Sequence, residues 1–231
     1  MLELARLHET RQAGQPAVFE FAAAGLPPPP SLVALHARFA RAADSEASLQ
    51  RTEGTASAHD VGRWLDHIRH DLPFDERRVV PVAQQVGPEV ASLLGVAHPR
   101  LPGVPLQPPR LWLGVSSYHT PAHADDADNF VLMMSGAKTF WCSPPTSWAA
   151  LRPRCIAEQC WASVDYAEAV PVTNLTVRAG EILYLPAGWF HRVTNLGPTV
   201  MVNFWTGADP DAARARVRDT RVAGSLGTWA E

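Results

Sequence analysis

The sequence predicts a mainly β chain, a sandwich or barrel behind an α-helical front. Three observations carry this. From about residue 78 the chain breaks into short apolar runs of strand length, punctuated by Gly and Pro. Before that point the apolar residues recur at helical spacing. At 231 residues the chain suits one β domain with a substantial core. The expected organisation is a single domain over 1–231, with a mainly helical part at 1–77, a β core at 78–206, and a C-terminal helix and tail at 207–231.

The first ten residues read as a short amphipathic helix, with no basic start followed by an apolar run. An extended segment from Pro16 to Phe21 ends before the four prolines at 27–30. Ser31 then caps a helix on which Leu32, Leu35, His36, Phe39 and Ala43 recur at helical spacing. The small, polar stretch 45–59 reads as a loop. A second helix runs from about Asp60 to His70, with Val61, Trp64, Leu65 and Ile68 as its stripe. His67 and His70 are read as solvated helix histidines.

Val79 to Val86 is a strand, and its neighbours Gln84 and Gln85 face opposite ways. Pro88 to Leu94 is a short helix that Gly95 stops. A proline-rich loop covers 98–109, and Arg110 to Ser116 is a strand. Asn129 to Met134 and Lys138 to Cys142 are strands joined by a Ser135-Gly136 turn. Residues 143–168 read as loop. Leu175 to Arg178, Glu181 to Leu185, His191 to Asn195 and Thr199 to Trp205 are four further strands, and a polar helix begins at about Ala208.

The bulk properties exclude several function classes. A formal net charge of −3 gives no reason to expect nucleic-acid or anionic-membrane partners. No stretch approaches the roughly 18 apolar residues of a membrane span, so a cytoplasmic location is expected. Three cysteines, an odd number, argue against a disulfide framework. Cys155 and Cys160 lack the second pair of a zinc site and read as reduced thiols.

The chemistry lies in two stretches. His119-Thr-Pro-Ala-His-Ala-Asp125 supplies His123 and Asp125. Residues i and i+2 of a strand share a face, so these two side chains converge. Leu185-Pro-Ala-Gly-Trp-Phe-His191 supplies His191 after a turn that aims it inward. Two histidines and one carboxylate form the ligand set of a non-haem Fe(II) site with open positions. His-x-Asp alone is a weak signal, and its force comes from its surroundings.

Gly180, Pro186, Gly188, His191 and Asn195 match, at every fixed position, the second conserved motif of the cupin superfamily. Thr120 to Asp125, then Asn129, Gly136-Ala137-Lys138 and Pro144-Pro145, resemble the JmjC-like cupins (cupin-8 type), which include the asparaginyl hydroxylase acting on hypoxia-inducible factor. Val202-Asn203-Phe204-Trp205 fits the same family. The resemblance covers about 78–206 well and the helices more loosely.

This resemblance implies a double-stranded β-helix, or jelly roll, and an oxygenase dependent on Fe(II), 2-oxoglutarate and O₂. It implies that His123, Asp125 and His191 bind iron. It implies that Lys138 pairs with the distal carboxylate of 2-oxoglutarate, that Thr120 hydrogen-bonds to it, and that Asn129 and Asn203 lie near it. Elementary chemistry agrees. A dicarboxylate in an apolar barrel needs a cationic partner, and a lysine facing inward beside Phe140 and Cys142 needs an anion. Without the motif, Lys138 reads as a hairpin lysine facing solvent. Asn203 in an apolar strand demands partners and is equally readable as structural. Relatives often carry a tyrosine at a position aligned here with Val82, so one hydrogen bond to the co-substrate is missing.

His119 reads as a rim histidine, Asp126 and Asp128 as solvated or substrate-contacting acids at the mouth, and Trp189 and Phe190 as packing around the iron shell. The expected activity is hydroxylation of a C–H in a peptide or protein side chain, with succinate and CO₂ as co-products. Three other readings stay open: hydroxylation of a free amino acid or small intermediate, a metal cupin without 2-oxoglutarate, and a non-enzymatic binding module. Ala212, Ala215 and Val217 give the segment Asp209 to Val222 a weak apolar face, which suits a homodimer contact and a solvated helix equally.

Overall fold

The structure, a computed structural model, describes residues 2–44, 58–70, 83–85, 88–96, 104–116, 119–156, 159–164 and 170–206. The helices are α1 (Leu2–Ala13), α2 (Leu32–Asp44), α3 (Ala58–Arg69), α4 (Pro88–Leu94) and α5 (Trp148–Leu151). The strands are β1 (Ala17–Glu20), β2 (Ala83–Gln85), β3 (Arg110–Gly114), β4 (His119–Asp125), β5 (Asn129–Ser135), β6 (Ala137–Ser143), β7 (Arg154–Ile156), β8 (Gln159–Trp161), β9 (Thr173–Arg178), β10 (Glu181–Leu185), β11 (Phe190–Asn195) and β12 (Thr199–Trp205). Val82 and residues 207–231, with the expected C-terminal helix, lie outside the described residues.

The strands form two six-stranded antiparallel sheets, ordered β1-β10-β5-β12-β3-β2 and β7-β8-β4-β11-β6-β9. Chain neighbours such as β5 and β6 lie in different sheets, which is how a jelly roll divides its strands. The mainly β expectation, with helices in front, therefore holds.

Three apolar layers follow from strand parity. On β12, Val200, Val202 and Phe204 join the helical residues Leu35, Phe39, Leu65 and Ile68 in one core. Met201, on the opposite face, joins Val131, Met133, Phe140, Leu183 and Val193 between the sheets. Behind the second sheet Trp148, Leu151, Cys160 and Phe190 form a third cluster. Strand β5 feeds two of these layers, which explains its uninterrupted run Phe-Val-Leu-Met-Met. The helical front is anchored as its sequence requires: the Ala34 N–H donates to Ser31 Oγ at 3.2 Å, capping α2.

Two readings are corrected. Residues 143–168 are not simply loop, because they contain α5, β7 and β8. These elements are three or four residues long, too short for any apolar period to show. Cys155 and Cys160 are not free thiols. They lie opposite one another in the β7–β8 ladder and form a disulfide. Counting cysteines misses this, since the third, Cys142, is buried alone in another layer.

Two glycines aim site residues. Gly136, at φ 76°, turns β5 into β6, and a Cβ there would lie 2.2 Å from the Pro198 carbonyl oxygen. Gly188, at φ 80°, makes the turn that leads to His191.

Candidate metal centre

His123, Asp125 and His191 are buried, and their ligand atoms lie within 4.8 Å of one another. Their register explains the convergence: His191 stands directly opposite His123 in the β4–β11 ladder, and Asp125 is two residues further along β4. The rings of the two histidines are 4.2 Å apart, and His123 Nε2 lies 3.9 Å from Asp125 Oδ1.

The histidines are oriented alike. His123 Nδ1 is 2.9 Å from the carbonyl of Pro121, and His191 Nδ1 is 3.1 Å from that of Trp189. A carbonyl only accepts, so each Nδ1 carries the proton and each Nε2 presents its lone pair to the centre. Burial, then the neighbouring His123, lowers the His191 pKa to about 4, against the opposing pull of Asp125 and the Trp189 carbonyl. His191 is therefore neutral at pH 7, as a ligand must be. The donor set fits a divalent metal of the facial-triad type.

The pocket in front of the triad is open to solvent and, with its mouth included, spans about 420 Å³ of empty space. Lys138, Thr120, Asn129 and Asn203 all line it, so the structure brings together every site residue read from the sequence. Lys138 shares the inward face of β6 with Phe140 and Cys142, opposite Asn195, Val193 and His191. No carboxylate pairs with it among the described residues, and burial lowers its pKa to about 8. A buried ammonium without a counter-ion fits an anionic ligand.

Thr120 faces the same pocket because of a bulge. Between the His191–His123 and Val193–Thr120 pairs, β4 spends three residues where β11 spends two. In a regular strand Thr120 and His123 point to opposite sides, and the extra residue restores Thr120 to the inner one. Both ends of the Asn203 amide are engaged: its Nδ2 donates to Asn129 Oδ1 at 2.9 Å and its Oδ1 accepts from Trp112 Nε1 at 2.7 Å.

Asp128 departs from its reading as a solvated or substrate-contacting acid. It is buried, accepting from the Tyr184 hydroxyl at 3.0 Å and the Ala187 N–H at 2.9 Å, with Arg11 Nε 3.5 Å away. It fastens the 186–188 turn from which His191 departs. The Trp189 indole N–H donates to the Gly14 carbonyl at 3.0 Å, while Phe190 packs edge-on against Trp148. His119 is exposed at the start of β4. His70 and His36 sit 3.8 and 3.4 Å from the exposed Asp66, away from the centre. The backbone register sets Gln85 opposite Arg110 and Gln84 opposite Leu111.

Three residues given no site role from the sequence touch the triad. Gln159 Nε2 donates to Asp125 Oδ1 at 3.1 Å, and Trp205 Nε1 donates to Asp125 Oδ2 at 3.2 Å. Trp161 stacks on His123 at 4.8 Å. Trp205 had a local signal, since it lies two residues beyond Asn203 on the same face of β12. Gln159 and Trp161 had none.

Comparison with known proteins gives a consistent picture. The cupin-like domain model matches residues 35–211. The bifunctional peptidase and (3S)-lysyl hydroxylase JMJD7 of Homo sapiens is 28% identical, over 58% of this chain and 50% of that protein. The HSPB1-associated protein 1 homolog of Danio rerio is 26% identical, over 65% of this chain and 37% of its own length. The lysine-specific demethylase JMJ32 of Arabidopsis thaliana is 27% identical, over 41% and 40% respectively. The chain spans half or less of the length of these relatives. No described helix is long and apolar enough to cross a membrane.

Proposed function

Because the chain belongs to the cupin-like domain family, we propose that it is an Fe(II)- and 2-oxoglutarate-dependent oxygenase that hydroxylates a C–H of a peptide or protein side chain. The observation that carries this reading is one pocket holding both a His-Asp-His set and a buried lysine that has no carboxylate partner among the described residues.

His123 and His191, through Nε2, and Asp125, through a carboxylate oxygen, hold the iron. When bound, the iron would supply oxidative decarboxylation of the 2-oxo acid by O₂, one oxygen atom going to succinate, with release of CO₂, and the other to the hydroxylated substrate. Lys138 binds the distal carboxylate of the co-substrate, and Thr120 donates a hydrogen bond to it. The spacing suits these roles. Cys142 is level with His191, and Lys138 lies four residues further along β6, about 13 Å at the usual strand rise. An extended lysine and a five-carbon diacid bridge that gap. Asn129 and Asn203, locked to each other, form a polar wall beside the co-substrate. Val131, Phe140, Val193 and Met201 line the remainder and exclude water from the reacting centre. A peptide or protein substrate is supported by the relatives whose names specify lysyl hydroxylation and lysine demethylation.

The test is anaerobic titration with Fe(II), then with 2-oxoglutarate, in wild type, His123→Ala and Asp125→Ala. Wild type is expected to bind both and the variants to lose the metal. A wild type that binds neither ends the proposal. A wild type that binds metal but not 2-oxoglutarate, with Lys138→Ala fully active, marks a metal cupin of another reaction class.

A further inference from the structure

We infer that Trp205 is a positioning residue that restricts Asp125 to a single ligand oxygen and so preserves the open positions of the metal. The inference rests on the proposed metal site.

The two oxygens of Asp125 are not equivalent. Oδ1 lies 3.9 Å from His123 Nε2 and so faces the centre, where Gln159 Nε2 also reaches it at 3.1 Å. Oδ2 accepts the indole N–H of Trp205 at 3.2 Å. Trp205 is itself fixed from two sides. The Arg110 guanidinium lies over its ring at 4.6 Å, and Trp112 meets it edge-on at 6.5 Å. The indole thus arrives preoriented and does not adapt to the carboxylate.

A carboxylate can bind a cation through one oxygen or through both. Each oxygen accepts one hydrogen bond, so placement separates them: the fixed indole holds Oδ2 on the β12 side while Oδ1 stays beside His123 Nε2, and Asp125 offers Oδ1 to the ion. The triad then fills three positions of an octahedron and leaves three, two for a chelating 2-oxo acid and one for O₂. An Asp125 free to chelate fills a fourth position and competes with one end of the co-substrate. On this account the indole N–H adds little to metal affinity. What it sets is the number of exchangeable positions.

The test needs the metal alone. Wild type and Trp205→Phe are saturated with Mn(II), and water-proton relaxation is measured without co-substrate. Phenylalanine keeps a ring for Arg110 and lacks the donor. The relaxivity of the bound ion is expected to fall by about one third, from three exchangeable waters to two. The affinity of the Mn(II)-loaded chain for 2-oxoglutarate is expected to fall about tenfold or more, the scale of one charge-assisted hydrogen bond, while Mn(II) affinity holds. Unchanged relaxivity overturns the inference whatever happens to the affinities. So does a parallel loss of metal and 2-oxoglutarate binding, which marks general loosening. A wild type that binds no Mn(II) removes the proposed function and this inference together. If Trp205→Phe loses its cooperative melt, Trp205→Tyr repeats the measurement, since it too lacks the donor at that point.

Discussion

Asn203 and Asn129 join β12 to β5 through a 2.9 Å hydrogen bond, and the other end of the Asn203 amide is held by Trp112. Both asparagines are buried. Asn203→Leu leaves the Asn129 oxygen and the Trp112 N–H without this partner at the wall of the pocket. A stability loss of about 1–3 kcal/mol is expected from such orphaned groups, read by urea unfolding of the metal-free chain. No loss shows that water reaches both groups.

Lys138 links stability to pH in the unusual direction for a base. Its pKa is about 8 in the folded chain and 10.5 as the ordinary value. Between these values the unfolded state binds more protons, so the contribution of Lys138 to stability rises with pH. Its cost is full below about pH 8 and relieved by pH 10.5. Lys138→Met is expected to stabilise the ligand-free chain at pH 7, flatten this pH dependence, and abolish 2-oxoglutarate binding. Unfolding curves at pH 7, 8.5 and 10 with and without the substitution check this. In wild type, 2-oxoglutarate affinity is expected to weaken above about pH 8, as the free lysine loses its proton.

Asp128 serves the centre from behind. Asp128→Ala removes the acceptor for the Tyr184 hydroxyl and the Ala187 N–H. A loss of about 3 kcal/mol is expected, along with weaker Mn(II) binding, because the turn ahead of His191 loosens. Tyr184→Phe removes one of these bonds and should cost about 1 kcal/mol with Mn(II) affinity intact. Melting curves and metal titration on both variants separate the two contributions.

The Cys155–Cys160 disulfide closes the hairpin that presents Gln159 to Asp125 and Trp161 to His123. Such a short loop is worth about 2 kcal/mol by the chain-entropy relation. Cys155→Ser with Cys160→Ser should lower the urea midpoint accordingly and make it insensitive to dithiothreitol. An equal dithiothreitol response in the double variant counts against the bridge.

The triad was legible because parity is legible. His123 and Asp125 sit at i and i+2, and Gly188 announces the turn before His191. The longer strands were legible from their alternation and their Gly and Pro boundaries. Thr120 was harder: its inward aim depends on a bulge, and nothing in Thr-Pro-Ala-His reveals one. Gln159 and Trp161 were invisible, because a three-residue strand has no period and their partners lie some 35 residues back along the chain. Asp128 was misread for a related reason. An aspartate among other aspartates looks solvated until the tyrosine and the backbone N–H that neutralise its burial are found 56 and 59 residues away.

Strand β12 enters its sheet between β5 and β3, although it is the last strand of the described chain. A nascent chain leaves the ribosome N-terminus first, so β3 and β5 emerge with a gap where their shared neighbour belongs. His123 and Asp125 are exposed to the cell well before His191 exists, and Trp205 follows later still. Loop closure over such separations is slow and precedes any return in contacts. On the proposed function, the half-built centre offers two ligand residues until β11 supplies His191, and Trp205 reaches Asp125 only once β12 is made. On the proposed function, capture of the metal therefore follows synthesis of β11 and β12.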